Sequence, residues 1–317
     1  MLRSVLARLG VFAASLIAAS FVIFVITQAL PGDVAASILG FGATPEQLAA
    51  KRAELGTDRP FLVQYADWAG GVLRGDFGRS WFSGTPVAAM IGPRLEVTAS
   101  LVTGGLGLAL LIALPLGAVA ALKRRQWQGV VTSAAAQVGM AIPAFWAGIL
   151  LVYVFAVTLR WFPANGYAPL RDGGGAWASH LVLPVIALGA VQGAVLTRYV
   201  RSAFVEVLGE DYYRTARSIG WTRWRALARH GVRNAALSLV TVLGLQLATV
   251  IVGAIVVERV FQLPGLGSLL LDVVTRHDLV AVRGVVLLLV FVVLVINALV
   301  DISYALIDPR LRTGDRS

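Results

Sequence analysis

An all-α membrane protein with six transmembrane helices and both termini cytoplasmic is the fold class that the sequence predicts, and three observations predict it. Of 317 residues 58% are hydrophobic and 14% charged, with a mean hydropathy of +0.79, whereas a soluble domain carries about a quarter of its residues charged. Six stretches of mostly apolar residues are long enough for a helix, at about 1.5 Å per residue, to cross a bilayer. The surplus of basic residues falls on alternate connections between those stretches.

The first stretch, 9–30, follows MLRSVLARLG. Its apolar run exceeds a usual signal-peptide core and no small-x-small site precedes a soluble domain, so a retained first span is expected. The others run over 97–121, 129–159, 181–205, 234–257 and 284–307. The fourth is the weakest, because Arg198 and Arg201 interrupt it after Thr197; it is expected to continue as helix beyond the membrane. Gly104, Gly105, Gly107, Gly139 and Ala141 allow close helix approach. Pro115, Pro143 and Pro184 are positions for kinks, or for packing that tolerates them. Trp127, Trp161, Trp177, Trp221 and Trp224 fall near span ends, where an amphipathic indole is favoured.

Charge placement sets the orientation. With the N-terminus inside, the inner segments hold sixteen Lys and Arg against six acids, among them Arg3, Arg8, Lys123, Arg124, Arg125, Arg310, Arg312 and Arg316. The outer segments, 31–96, 160–180 and 258–283, hold eleven of each, so the whole net charge of +10 lies inside. The expected organisation is an N-terminal segment with the first helix over 1–30, an extracytoplasmic helical subdomain over 31–96, and a five-helix core over 97–317 that contains a cytoplasmic loop at 198–233.

Two loops carry helix punctuation. In TPEQLAAKRAELG, Thr44 can cap, Pro45 suits the first helical position, Gln47 closes a capping box and Gly56 suits the C-terminal turn. A second element follows, with Phe61, Tyr65, Trp68 and Leu73 as its apolar stripe. This subdomain reads either as a cover on the outer face or as a dock for an external partner. In the cytoplasmic loop a short helix starts at Asp211 and stops at Gly220, and Thr222 can cap a second one carrying Trp224, Leu227 and Ala228. Small Ala216 beside Ile219 and Trp221 suits a protein groove; an Arg-rich helix lying on anionic lipid is the other reading.

Several classes are excluded. Zero cysteines remove disulfides, thiolate metal sites and Cys nucleophiles, and three separated histidines form no HExxH. With only Lys51 and Lys123, neither after a Gly-rich loop, there is no phosphate loop, and no GxSxG elbow occurs. No catalytic, cofactor-binding or metal-ligating residue is therefore assigned. Among polar residues within spans, Gln192, Gln246 and Asn297 are candidates for a translocation path, with Gln137 also noted. For each, an interhelical hydrogen bond that only packs the bundle is the favoured reading. Asp301 is read as hydrated or paired with a loop Arg, Glu258 and Arg259 as interface residues, and QLPGLGSLLLDVV as a re-entrant or outer gate helix.

At DYYRTARSIG the chain resembles the inner-membrane permeases of binding-protein-dependent ABC importers of the dipeptide/oligopeptide type, with Ala216 and Gly220 at the matching positions of their EAA loop. LPGD (30–33), ELGTDRPFLVQY, LRGDFGRS, IPAFW, RHGVRNA, TVLGLQL, VVERVFQLPGLG and LVDISYALIDPRLR resemble family segments in order over nearly the whole chain. Ser238 departs from a family Pro at the start of the fifth span. The resemblance implies a type I ABC importer-like transmembrane domain and a non-catalytic subunit in the bacterial plasma membrane, forming half of a path for peptides. It implies as partners a homologous second permease, two ATPases that hold ATP and Mg, and an external substrate-binding protein. It also implies that Asp211, Tyr212, Thr215, Ala216, Arg217, Ile219, Gly220 and Trp221 couple the chain to the ATPase. Nickel, glutathione or another small solute is the alternative cargo. A stand-alone secondary transporter would show two similar halves and an embedded ion site, and an intramembrane enzyme a convergent catalytic set; neither pattern is found.

Overall fold

The computed structural model describes residues 2–29, 34–40 and 42–307, and the side chains of these other than 2–7, 34, 37, 237 and 301–307. The expectations at LPGD, Arg3, Arg310, Arg312 and Arg316 and at the Asp301 carboxylate lie outside what is described.

In chain order the helices are α1 (Leu2–Ala29), α2 (Val34–Leu39), α3 (Pro45–Leu55), α4 (Phe61–Leu73), α5 (Val87–Leu122), α6 (Trp127–Ala141) and α7 (Ala144–Leu151), the last continuing as a π-helical segment, Val152–Thr158. Then come α8 (Gly174–Val207), α9 (Asp211–Ser218), α10 (Arg223–Ala226) with a π-helical turn at Leu227–Gly231, α11 (Val232–Val260), α12 (Leu266–Thr275) and α13 (Leu279–Ile307). No strand forms among the described residues; a single bridge joins Arg79 and Pro86. By length and composition α1, α5, α8, α11 and α13 can cross a membrane.

The expected third span differs from a straight helix. α6 and the segment from Ala144 to Thr158 meet at 94°, so this is a broken span or a re-entrant pair. Pro143 has no N–H to donate and its ring disfavours helical backbone at the preceding residue; Ile142 accordingly sits extended at φ −85°, ψ 119°. Pro184 is accommodated inside α8, and α11 runs through Ser238 without a break.

The chain divides into two compact units. One comprises the described residues up to Glu96 with Ser268–Val295, the other Val97–Gly267 with the described residues from Ile296. In the first unit, α3 carries the expected capping box, with Gln47 N–H donating to Thr44 Oγ1 and Thr44 N–H to Gln47 Oε1, and it ends at Gly56 with φ +68°. Phe61, Tyr65 and Trp68 of α4 pack on the rings of Phe21 and Phe24 in α1, and Tyr65 Oη lies 2.9 Å from Ser20 Oγ. Leu73, the expected fourth member of that stripe, is 88% exposed, because α4 ends there.

Buried polar groups tie other parts of this unit together. Ser80 Oγ donates to Asp278 Oδ2 at 2.5 Å, and Asp278 Oδ1 accepts from Ala281 N–H at the start of α13. Arg283, 6% exposed, donates from Nε to Thr27 Oγ1 at 2.7 Å and from Nη2 to Gln28 Oε1 at 2.9 Å, with its guanidinium 4.1 Å from the centre of the Phe24 ring.

The second unit is built around α8, whose apolar window is 61% buried against 11% for α1. α5, α6, α7 and α11 surround it. Gly104 and Gly105 of α5 face Val185 and Leu188, and Gly189 and Gly193 of α8 face Leu108 and Ile112. A Cβ on Gly189 would lie 2.9 Å from the Gly105 carbonyl oxygen, while one on Gly107 would meet nothing within 4 Å. Gly139 approaches Ala194 as expected of a small residue, at 2.9 Å from the added Cβ. Gly189→Val should therefore destabilise the purified chain by about 1–3 kcal/mol, read as a lower thermal unfolding midpoint in detergent, whereas Gly107→Val should leave the midpoint unchanged.

Candidate functional site

α9 is an eight-residue helix with complementary ends: Asp211 in its first turn and Arg217 in its last oppose the helix dipole. Its inner face is Tyr213 and Ala216, both buried in an apolar cluster with Leu196, Val200, Phe204 and Leu227. Tyr213 Oη donates to the Arg223 carbonyl oxygen at 3.3 Å, fastening α9 to α10. Burial raises the Tyr213 phenol above its ordinary pKa, while the Arg217 and Arg223 charges pull it down. Tyr212, Thr215 and Ile219, at helical spacing on the other side, are exposed, Ile219 at 69%. Burial, then the Glu210 charge, raises the Tyr212 phenol.

The turn after α9 is a Schellman motif. Trp221 N–H donates to the Ala216 carbonyl and Gly220 N–H to that of Arg217. Gly220 takes φ +95°, a backbone region that strains residues with a Cβ. Trp221 is held between Arg225, whose guanidinium lies 4.7 Å from its ring centre, and the His230 ring at 5.2 Å, while Arg217 Nη1 donates to the Trp221 carbonyl. Thr222 caps α10 by accepting from Arg225 N–H at 3.3 Å. Two expectations change here. Ala216 faces the core rather than an open groove, and Leu227 is buried while Trp224 and Ala228 are exposed, so those three do not share one face.

The candidate path amides sit in different settings on α8, α11 and α13. Gln192 is buried with its Oε1 lacking a hydrogen-bond partner among the described residues, Gln246 is half-buried, and Asn297 is exposed, as is Gln137. Glu258 departs from the expected interface residue. It is fully buried, Thr98 Oγ1 donates to its Oε1 at 2.5 Å, and that same hydroxyl oxygen accepts from Leu266 N–H at 2.8 Å. A side chain on Gly265 would collide with the Glu258 carboxylate, so only glycine lets the LPGLG turn close over it. Arg259 is exposed.

Residues 113–313 match the family described as binding-protein-dependent transport system inner membrane component, and residues 1–102 match the N-terminal region of such components. The chain belongs to this family. As a permease of ABC importers it is an inner-membrane transport component. It is similar to a peptide transport system permease of Brucella abortus (strain 2308), 41% identical over 91% of this chain and 92% of the relative. It is also 38% identical to the glutathione transport system permease of Salmonella typhimurium (strain LT2), over 98% of this permease and 99% of that one. A chain of the MetNI methionine ABC transporter, solved in inward-facing conformations, shares the fold at a TM-score of 0.58 and 17% identity, over 69% of this permease and 96% of that chain.

Sequence reasoning missed three groups in the permease: the Thr98–Glu258 pair, the Ser80–Asp278 pair and Arg283. A signal existed for two of them, since Glu258 and Arg283 stand beside or within apolar helical runs, where an ionisable residue is costly unless it has partners. The Schellman turn yields a local test. Gly220→Val should cost about 1–3 kcal/mol, read as faster amide hydrogen exchange confined to 211–221. That cost is backbone strain alone, because an added Cβ meets nothing within 4 Å.

Proposed function

We propose that this permease forms half of the path by which an ATP-driven importer takes up peptides, and that α9 with its Gly220 turn receives the stroke of a cytoplasmic ATPase. The observation that carries the reading is the two-sidedness of α9. Its outer face offers Tyr212, Thr215 and Ile219, while Tyr213 and Ala216 root it in the cluster formed with α8 and the turn leading to α11. A push on such a short, rooted helix moves the membrane helices with it, because a packed core transmits displacement rather than absorbing it. Asp211, Arg217 and Trp221 hold the helix ends and the turn in shape.

The complete machine would contain a homologous second permease, two ATPases with ATP and Mg, and an external binding protein that delivers cargo. Both termini would face the cytoplasm, as the one-sided basic surplus favours, with residues 31–96 outside. Gln192, Gln246 and Asn297 would offer amide groups to a peptide backbone. The relatives named for peptide and for glutathione transport favour a peptide-like cargo, glutathione being itself a tripeptide.

Because the sequence has no cysteine, Ile219→Cys introduces a unique thiol. It should crosslink to the co-expressed ATPase subunit and resist an impermeant maleimide added to intact cells. Labelling from outside, or crosslinking to no ATPase, would overturn the reading. Ile219→Asp should lower peptide uptake at least tenfold, with membrane insertion and unfolding midpoint retained, since this side chain packs in no core.

A further inference from the structure

The connection from α5 to α6 is four residues long, and three of them, Lys123, Arg124 and Arg125, are cationic. It is tightly turned. Lys123 N–H donates to the Val119 carbonyl, Gln126 N–H to that of Lys123 at 2.8 Å, and a Cβ on Gly129 would collide with the Lys123 carbonyl. Across from it stand Arg217 at the end of α9 and Arg223 at the start of α10. Together these five cations line a cleft of about 400 Å³ to which Tyr213 also contributes.

No Asp or Glu lines this cleft, and among the described residues none of the five cations has a carboxylate within 4.0 Å. The contrast lies on the same helix, where Arg214 outside the cleft pairs with Asp211 at 3.6 Å. Five like charges around one concavity repel each other, and the repulsion is relieved by an anion that offers several acceptor oxygens. Guanidinium forks match phosphate oxygens in this way, and an ammonium adds a point charge. The volume falls within the range of small-ligand sites.

The level of the cleft indicates the source of such an anion. Lys123 directly follows Leu122, where the apolar run of α5 ends, and α6 opens with the exposed Trp127, a residue type favoured where headgroups meet hydrocarbon. Basic pockets at that depth hold anionic headgroups. We infer that the cleft between the α5–α6 connection and α9 binds a phosphate-bearing anion, for which the headgroup of an anionic phospholipid is the source favoured by its depth. Bound there, the phosphate bridges the α5–α6 connection to the root of α9. Only the consequence for transport rests on the coupling reading; the binding does not.

The test uses the purified full chain in detergent and reads direct binding by native mass spectrometry together with the unfolding midpoint. The probes are dioctanoyl phosphatidylglycerol, dioctanoyl phosphatidylcholine and inorganic phosphate. Phosphatidylglycerol should bind at least tenfold more tightly than phosphatidylcholine. Arg124→Gln/Arg125→Gln should weaken that binding about tenfold, Arg124→Lys/Arg125→Lys should restore part of it, and Arg229→Gln/Arg233→Gln, outside the cleft, should leave it intact. Binding of inorganic phosphate with the same dependence on Arg124 and Arg125, without lipid selectivity, supports the site and makes its source soluble. Equal affinity for both lipids with no phosphate binding, or equal losses in both Gln variants, overturns the proposal. So does absence of binding while ATPase association requires Arg124 and Arg125, since the cleft would then be a protein contact.

Discussion

Close approach of helix backbones in the second unit is the constraint on which the rest depends. Helices meeting in lipid gain little from burying apolar side chains, because hydrocarbon is as apolar as they are; they associate through packing. Gly104, Gly105, Gly189 and Gly193 remove the side chains that would separate α5 from α8, and a Cβ at Gly189 would reach the Gly105 carbonyl oxygen at 2.9 Å. α8 thereby becomes the most buried of the spanning helices, and α9, which follows it directly, inherits a rigid base.

That inheritance explains the design of α9. Eight residues of isolated helix are unstable in water, because nucleation is not repaid over so short a length. Tyr213 and Ala216 supply the missing stability by burial, and the Schellman turn at Gly220 returns the chain towards the core without leaving the last carbonyls unpaired. The outward residues pack in no core, and an apolar side chain such as Ile219 stands exposed on a surface otherwise rich in arginine. An element with one anchored and one presented face suits the transfer of motion from a soluble partner to a membrane bundle.

Much of this was legible in the sequence, and the failures have physical causes. Span positions follow from uninterrupted apolar runs, and the caps of α3 and α9 follow from Thr44, Gln47, Gly56 and Gly220, whose roles depend on local backbone geometry alone. α8 reads as the weakest span, because Arg198 and Arg201 interrupt its apolar run, and is the most buried, since burial depends on the helices packed around it and not on the length of that run. The 94° break of the third span was visible as Pro143, but the size of the bend depends on what Ala144 to Leu151 pack against. Ala216 was misplaced because a helix of two turns has two candidate faces, and only the tertiary neighbours choose between them. Leu73 shows the same limit at a helix end, where the apolar period continues after the partner surface has stopped.

The polar groups divide by where their partners lie. Asp278 and Glu258 are enclosed with Ser80, Thr98 and backbone N–H groups, and Arg283 with Thr27, Gln28 and the face of Phe24. These are ionisable side chains for which the chain itself supplies hydrogen bonds or a ring face, as burial demands. The five cations of the α5–α6 connection, α9 and α10 differ, since they converge on one cleft with no acid opposite, and the Arg217 bond to the Trp221 carbonyl leaves its charge unbalanced. Basic residues that only fixed orientation would need no such convergence, because positive charge anywhere on the inner connections serves that purpose. Their convergence on one cleft of about 400 Å³ therefore points to a ligand from outside the chain.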